Sequence, residues 1–145
     1  MRVVRITAVL AAVTAALAVP LAVLAGGSGN RQSPPTFAFG RVGGNIAPAR
    51  ISIGKDGRVA STGSGHATLT QASVSLRNGL GKLAVAEGFF SMPASVQCPG
   101  VNPDVAARFV TVSAGGKTRT VTVHGTCRAQ FEELYAVLSA SVGAQ

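Results

Sequence analysis

The chain has 145 residues, a length that supports one domain, and carries 13 Lys and Arg against five Asp and Glu. Its cations are scattered singly, with no run and no interleaved aromatics. That pattern lacks the stripe that tracks a phosphate backbone and excludes a nucleic-acid partner.

Arg2 and Arg5 open the chain, and Ile6 to Ala25 is an apolar run broken only by Thr7, Thr14 and Pro20. Val23-Leu24-Ala25 places short residues where a signal peptidase reads. The sequence therefore predicts a signal peptide over 1–25 and a secreted, extracytoplasmic product. An uncleaved anchor helix is the competing reading, since the run approaches the ~20 residues that span a bilayer. No cysteine follows directly, so a lipid anchor is not expected. Gly26 to Pro35, GGSGNRQSPP, reads as a flexible linker. The folded domain is expected over 36–143. Losing Arg2 and Arg5 leaves eleven cations against five acids, a charge of +6. Outside the cytosol such a charge gives solubility and loose attraction to anionic envelope polymers. The mature chain is expected to be a monomer with no membrane partner and no cofactor.

Phe37 to Val42 reads as a first strand. Gly43-Gly44 follows, before Asn45-Ile46. Two glycines there either let the chain turn or let another backbone come close. A bulge in an edge strand is the bland form of that reading. Ala49–Ile53 and Arg58–Thr62 flank Gly54-Lys55-Asp56-Gly57, a hairpin signal. Thr70 is placed to cap a helix over Gln71 to Glu87, with Gly88 as its left-handed stop. Phe89-Phe90-Ser91-Met92-Pro93 supplies bulk between helix and sheet. Phe109–Ser113 and Thr118–His124 form a second hairpin. A type II′ turn at Gly116-Lys117 would set Val112 against Val121 and Val110 against Val123. Thr126 is placed to cap a last helix from Arg128 to Val142. Its apolar stripe is Phe131, Leu134, Tyr135, Leu138 and Val142, and Gly143 ends it. The order of elements predicts an α+β domain: an antiparallel sheet of about four or five strands with two helices on one face.

Cys98 and Cys127, in an exported chain, point to one disulfide. It would close a loop of about 30 residues and contribute roughly 3 kcal/mol. Chemistry is sparse elsewhere. His66 and His124, with five carboxylates, give no converging metal-ligand set. Cys127 with a histidine and Arg128 raises a sortase-like thiolate reading, which a Cys98 disulfide would remove. TGSGHA lacks the spacing of a serine nucleophile elbow, and Gly40 to Gly44 is no phosphate loop. Glu132 and Glu133 fit the N-terminal turns of a helix better than a catalytic pair. The sequence reads as a binding protein, not an enzyme.

Several segments together resemble the emfourin family, small protein inhibitors of thermolysin-like metalloproteases. GRVGGNIAPARISI is similar to the family's opening strand-turn-strand. AVAEGFFSMP resembles its helix end with Phe-Phe-x-Leu-Pro. PDVAARFVTVSAGGKTRTVTV resembles its aspartate-aromatic hairpin, with Asp104 and Phe109 in the matching roles, and FEELYAVLSASV its closing helix. The resemblance spans Phe39 to Val142. This chain departs in its export signal, its cysteines, a longer Asp104–Phe109 span and Asn45-Ile46 after the glycines. The resemblance implies that a secreted metalloprotease is the partner and that Arg41, Gly43, Gly44, Asn45 and Ile46 form the loop that enters its cleft. The alternative is an envelope-associated binding or structural domain with no protease target.

Overall fold

The computed structural model describes residues 32–145. The signal-peptide reading of 1–25 and positions 26–31 of the linker lie outside the described residues. Of the linker, Pro34 and Pro35 are half-buried.

In chain order the elements are β1 (Thr36–Val42), β2 (Ala49–Ile53), β3 (Val59–Gly63), α1 (Val74–Ala86), a 3-10 turn (Phe89–Ser91), β4 (Ser95–Gln97), β5 (Ala107–Ala114), β6 (Lys117–His124) and α2 (Ala129–Val142). The strands form one sheet in the order β3-β2-β1-β5-β6-β4. Alternation puts Phe37 and Phe39, Ile51 and Ile53, Val110 and Val112, and Val121 and Val123 on one face. These join Leu80 and Ala84 of α1, Phe89, and Phe131, Leu134, Leu138 and Val142 of α2 in a single core. Both helices therefore cover the same face, as expected for an α+β fold. Each large side chain so buried contributes about 1.5–3 kcal/mol.

The sheet has six strands instead of four or five, and it is mixed instead of antiparallel. The added strand is β4, which pairs parallel to β6 through Ser95↔Thr122 and Gln97↔His124. After the 3-10 turn the chain runs up the free edge of β6. Thr122 N–H donates to the Ala94 carbonyl and Cys98 N–H to the His124 carbonyl, each at 2.9 Å. So short a strand carries no alternation that a sequence could show.

The second hairpin also differs from expectation. Val110 faces Val121, Val112 faces Arg119, and Ala114 faces Lys117. The turn is thus Gly115-Gly116, with φ of 58° and 75°. Two positive φ values make a type I′ turn, whose twist matches that of the flanking strands. The slip relative to the expected register is two residues, so every valine keeps its face.

Helix starts moved for identifiable reasons. Thr70 does not cap α1, because its carbonyl accepts from Val59 N–H and Ala72 N–H donates to the Gly57 carbonyl. That ties 70–72 to the β2–β3 hairpin in extended form. Ser73 caps instead, its hydroxyl accepting from Leu76 N–H at 3.1 Å. Gly88 is left-handed, as expected, at φ 65°. At α2 the capping position is Arg128, with no side-chain cap bond, in place of Thr126. Cys127, bonded to Cys98, separates Thr126 from the helix. Among the described residues no helix is long and apolar enough to cross a membrane.

Candidate binding loop and its brace

β1 exits into a loop in which every residue from Arg41 to Pro48 is exposed. β1 is an interior strand, hydrogen-bonded to β2 on one side and β5 on the other. Its pairing with β5 is continuous from Thr36 to Val42. The edge-strand bulge is therefore overturned.

Both possible reasons for the glycine pair operate, one at each residue. Gly43 has φ 70° and open space around the position of a Cβ. It makes the turn. Gly44, at φ 65°, is where another backbone comes close. A Cβ there would lie 2.5 Å from the Asp104 carbonyl oxygen and 2.6 Å from Ala106 N. The approaching backbone belongs to this same chain. Asn45 N–H donates to the Asp104 carbonyl at 3.2 Å.

The brace has further parts. Asp104 N–H donates to Asn102 Oδ1 at 2.9 Å, a local turn that shapes the segment before β5. Cys98, bonded to Cys127, anchors the far end of that segment. His124, at the end of β6, faces Gln97 Oε1 with Nδ1 at 2.7 Å and the Val105 carbonyl with Nε2. From the other side, Ser64 Oγ donates to the Ala47 carbonyl at 3.0 Å. The loop is thus open to solvent along its length but tied at both ends. Val42, Ile46 and Val105, on the two abutting segments, are 40%, 46% and 51% exposed.

Of the residues expected at the site, Arg41, Gly43, Asn45 and Ile46 are exposed and free of a covering element. Gly44 serves the brace. Sequence reasoning missed Ser64, Val105 and His124 as its other members. Beyond the glycine pair and the two cysteines, the local signal for the brace is Asn102-Pro103-Asp104, a turn former.

A second group lies on the helix-covered face. Arg108 forms a bidentate pair with Glu132, at 2.5 and 2.7 Å, and also donates to the Gly125 carbonyl. Its guanidinium sits 5.4 Å over the Tyr135 ring. Tyr135 packs edge-on to Phe39 and stacks with Phe131. Burial raises the Tyr135 hydroxyl above its ordinary pKa. Arg41 and Arg108 pull it back, and Glu132 adds to the rise. Glu132 is therefore a partner of Arg108 at the start of α2, while Glu133 is exposed. Phe109, matched to the emfourin-like aromatic, sits on the uncovered sheet face with Arg50 5.7 Å above its ring.

Cys127 is in the disulfide, so its sulfur is not a thiolate nucleophile in this state. Among the described residues, no three His, Cys, Asp or Glu side chains come together as a metal site would require.

A scan of the chain against protein-family models and a search of curated proteins gave no match.

Proposed function

We propose that this chain is an extracytoplasmic protein inhibitor of a thermolysin-like metalloprotease, and that it presents the Arg41–Pro48 loop to the protease cleft. One observation carries the reading. The loop is exposed throughout, yet it is braced by Asp104–Ala106, Ser64 and the disulfide. A binding loop that is ordered before it binds loses little entropy on docking. A braced loop also resists the extension that a protease needs to cleave it. The resemblance of the segments from Phe39 to Val142 to the emfourin family supports this class of partner. The disulfide supports an oxidising compartment.

The test is a titration of the purified protein, disulfide formed, against a thermolysin-like protease. Saturable inhibition is expected. Ile46→Asp should weaken it at least about tenfold, the cost of losing one apolar anchor at an interface centre. Val137→Asp, exposed on α2, should leave it unchanged. A folded protein that does not inhibit at excess would sink the proposal. The weight would then pass to the envelope-binding reading, supported by the +6 charge left after loss of Arg2 and Arg5.

A further inference from the structure

The β1–β5 register sets Arg41 directly opposite Arg108. Like charges opposed across strands destabilise a sheet. Arg108 is answered, since Glu132 takes both ends of its guanidinium fork and Tyr135 takes its face. Arg41 is not answered: it is exposed, and the Arg108–Glu132 pair is the only salt bridge among the described residues. Counting side chains alone, two arginines less one glutamate leave one positive charge at this point.

A cleft of 310 Å³ opens beside the pair. Phe39, Ile51, Tyr135 and Ser139 line it together with Gln145, and none of its lining side chains is acidic. We propose that this cleft binds a small oxyanion, a carboxylate or a phosphate, with Arg41 as the bidentate donor and the Tyr135 hydroxyl as a second donor. A guanidinium fork matches the geometry of either group. The apolar side chains of Phe39 and Ile51 in its lining lower the local dielectric, which strengthens the attraction. The volume is at the small end of ligand pockets and suits one anionic group with a short stem. Arg41 and Tyr135 both line the cleft, so an anion within it can meet the two together. None of this rests on protease inhibition.

Tyr135 is the only tyrosine in the chain, so its ring resonances report on the cleft wall without interference. The experiment titrates the whole protein with inorganic phosphate and, separately, with acetate, at ionic strength held constant by sodium chloride. Saturable shifts of the Tyr135 ring are expected, with half-saturation on the order of 1 mM for a site built on one guanidinium. Arg41→Gln should raise that concentration at least about tenfold. Its circular dichroism should match the parent, because Arg41 is exposed. Lys55→Gln, an equal charge loss in the β2–β3 turn, should leave it unchanged. The tighter of the two anions identifies the ligand class. Absence of saturation with both would overturn the proposal, and so would an equal response in folded Arg41→Gln or an equal weakening by Lys55→Gln.

Discussion

Gly43→Ala and Gly44→Ala separate the two roles of the glycine joint. Both residues have positive φ, at 70° and 65°. A Cβ in that region costs about 1–2 kcal/mol at either position. Gly43→Ala should show only this cost, because nothing lies within 4 Å of its new methyl. At Gly44 the methyl would meet Asp104 O and Ala106 N at 2.5 and 2.6 Å. Both are backbone atoms that cannot rotate aside, so one segment must move. Such overpacking adds about 1–3 kcal/mol. Loosening the Asn45–Asp104 hydrogen bond adds about 1 kcal/mol more. Gly44→Ala should thus lose roughly 3–6 kcal/mol, against about 1–2 for Gly43→Ala. For a domain of this size the gap of about 2–4 kcal/mol corresponds to roughly 8–16 °C in Tm. Thermal and urea unfolding followed by circular dichroism would measure both. Equal losses would refute the close approach. A bulky residue at Gly44 therefore tests the fold, and the interface is tested at Ile46.

Reducing the Cys98–Cys127 disulfide, which joins positions 29 apart, should cost about 3–4 kcal/mol in the chain-entropy account. Urea midpoints with and without reductant would show it, with a shift under about 1 kcal/mol arguing that other contacts already close the loop. Arg108→Gln, Glu132→Gln and the double variant form a cycle. The pair is bidentate but partly exposed, so a coupling of about 1 kcal/mol that shrinks in high salt is expected. Tyr135 titrates above the ordinary tyrosine value because burial favours the neutral phenol. The folded state then holds its proton where the unfolded chain has released it. Stability attributable to Tyr135 should be intact below the unfolded pKa of about 10 and fall as pH rises through the folded value. Phenolate absorbance against pH, in the folded and urea-unfolded protein, would reveal it. A folded midpoint at or below the unfolded one would refute it.

Where signals are local, the sequence reads well. Asp56-Gly57 fixed the first hairpin, Gly88 and Gly143 ended both helices, and the stripe from Phe131 to Val142 faces the core. What could not be read depends on partners far along the chain. Thr70 has the chemistry of a cap, but tertiary bonds to the β2–β3 hairpin take its backbone, and only the register of that hairpin reveals them. Gly115-Gly116-Lys117 admits more than one two-residue turn, and alternation cannot choose between registers two residues apart. β4 is extended because β6 has a free edge, a property of sheet order. Arg77 sits at 3% exposure in α1, where its Nη1 donates to the Lys55 carbonyl at 2.8 Å. A surface cation was the ordinary expectation there, and only packing against the hairpin turn reverses it.

The brace under the binding loop is the clearest case of the same limit. Strands β1 and β5 pair with Phe39 opposite Val110 and Val42 opposite Ala107. Carried past the last pair, that antiparallel register brings Gly44 opposite Val105. The contacts of Gly44 fall on Asp104 and Ala106, the two neighbours of that position. The joint is thus a continuation of the ladder beyond both strands, made by residues that no longer have strand conformation. A side chain at Gly44 would force the two segments apart where the ladder still holds them together. The glycine is required by the interior position of β1, and the exposure of Val42 and Ile46 follows from the turn that Gly43 makes next to it. One strand pairing therefore sets both the rigidity of the loop and the side chains it offers to a partner.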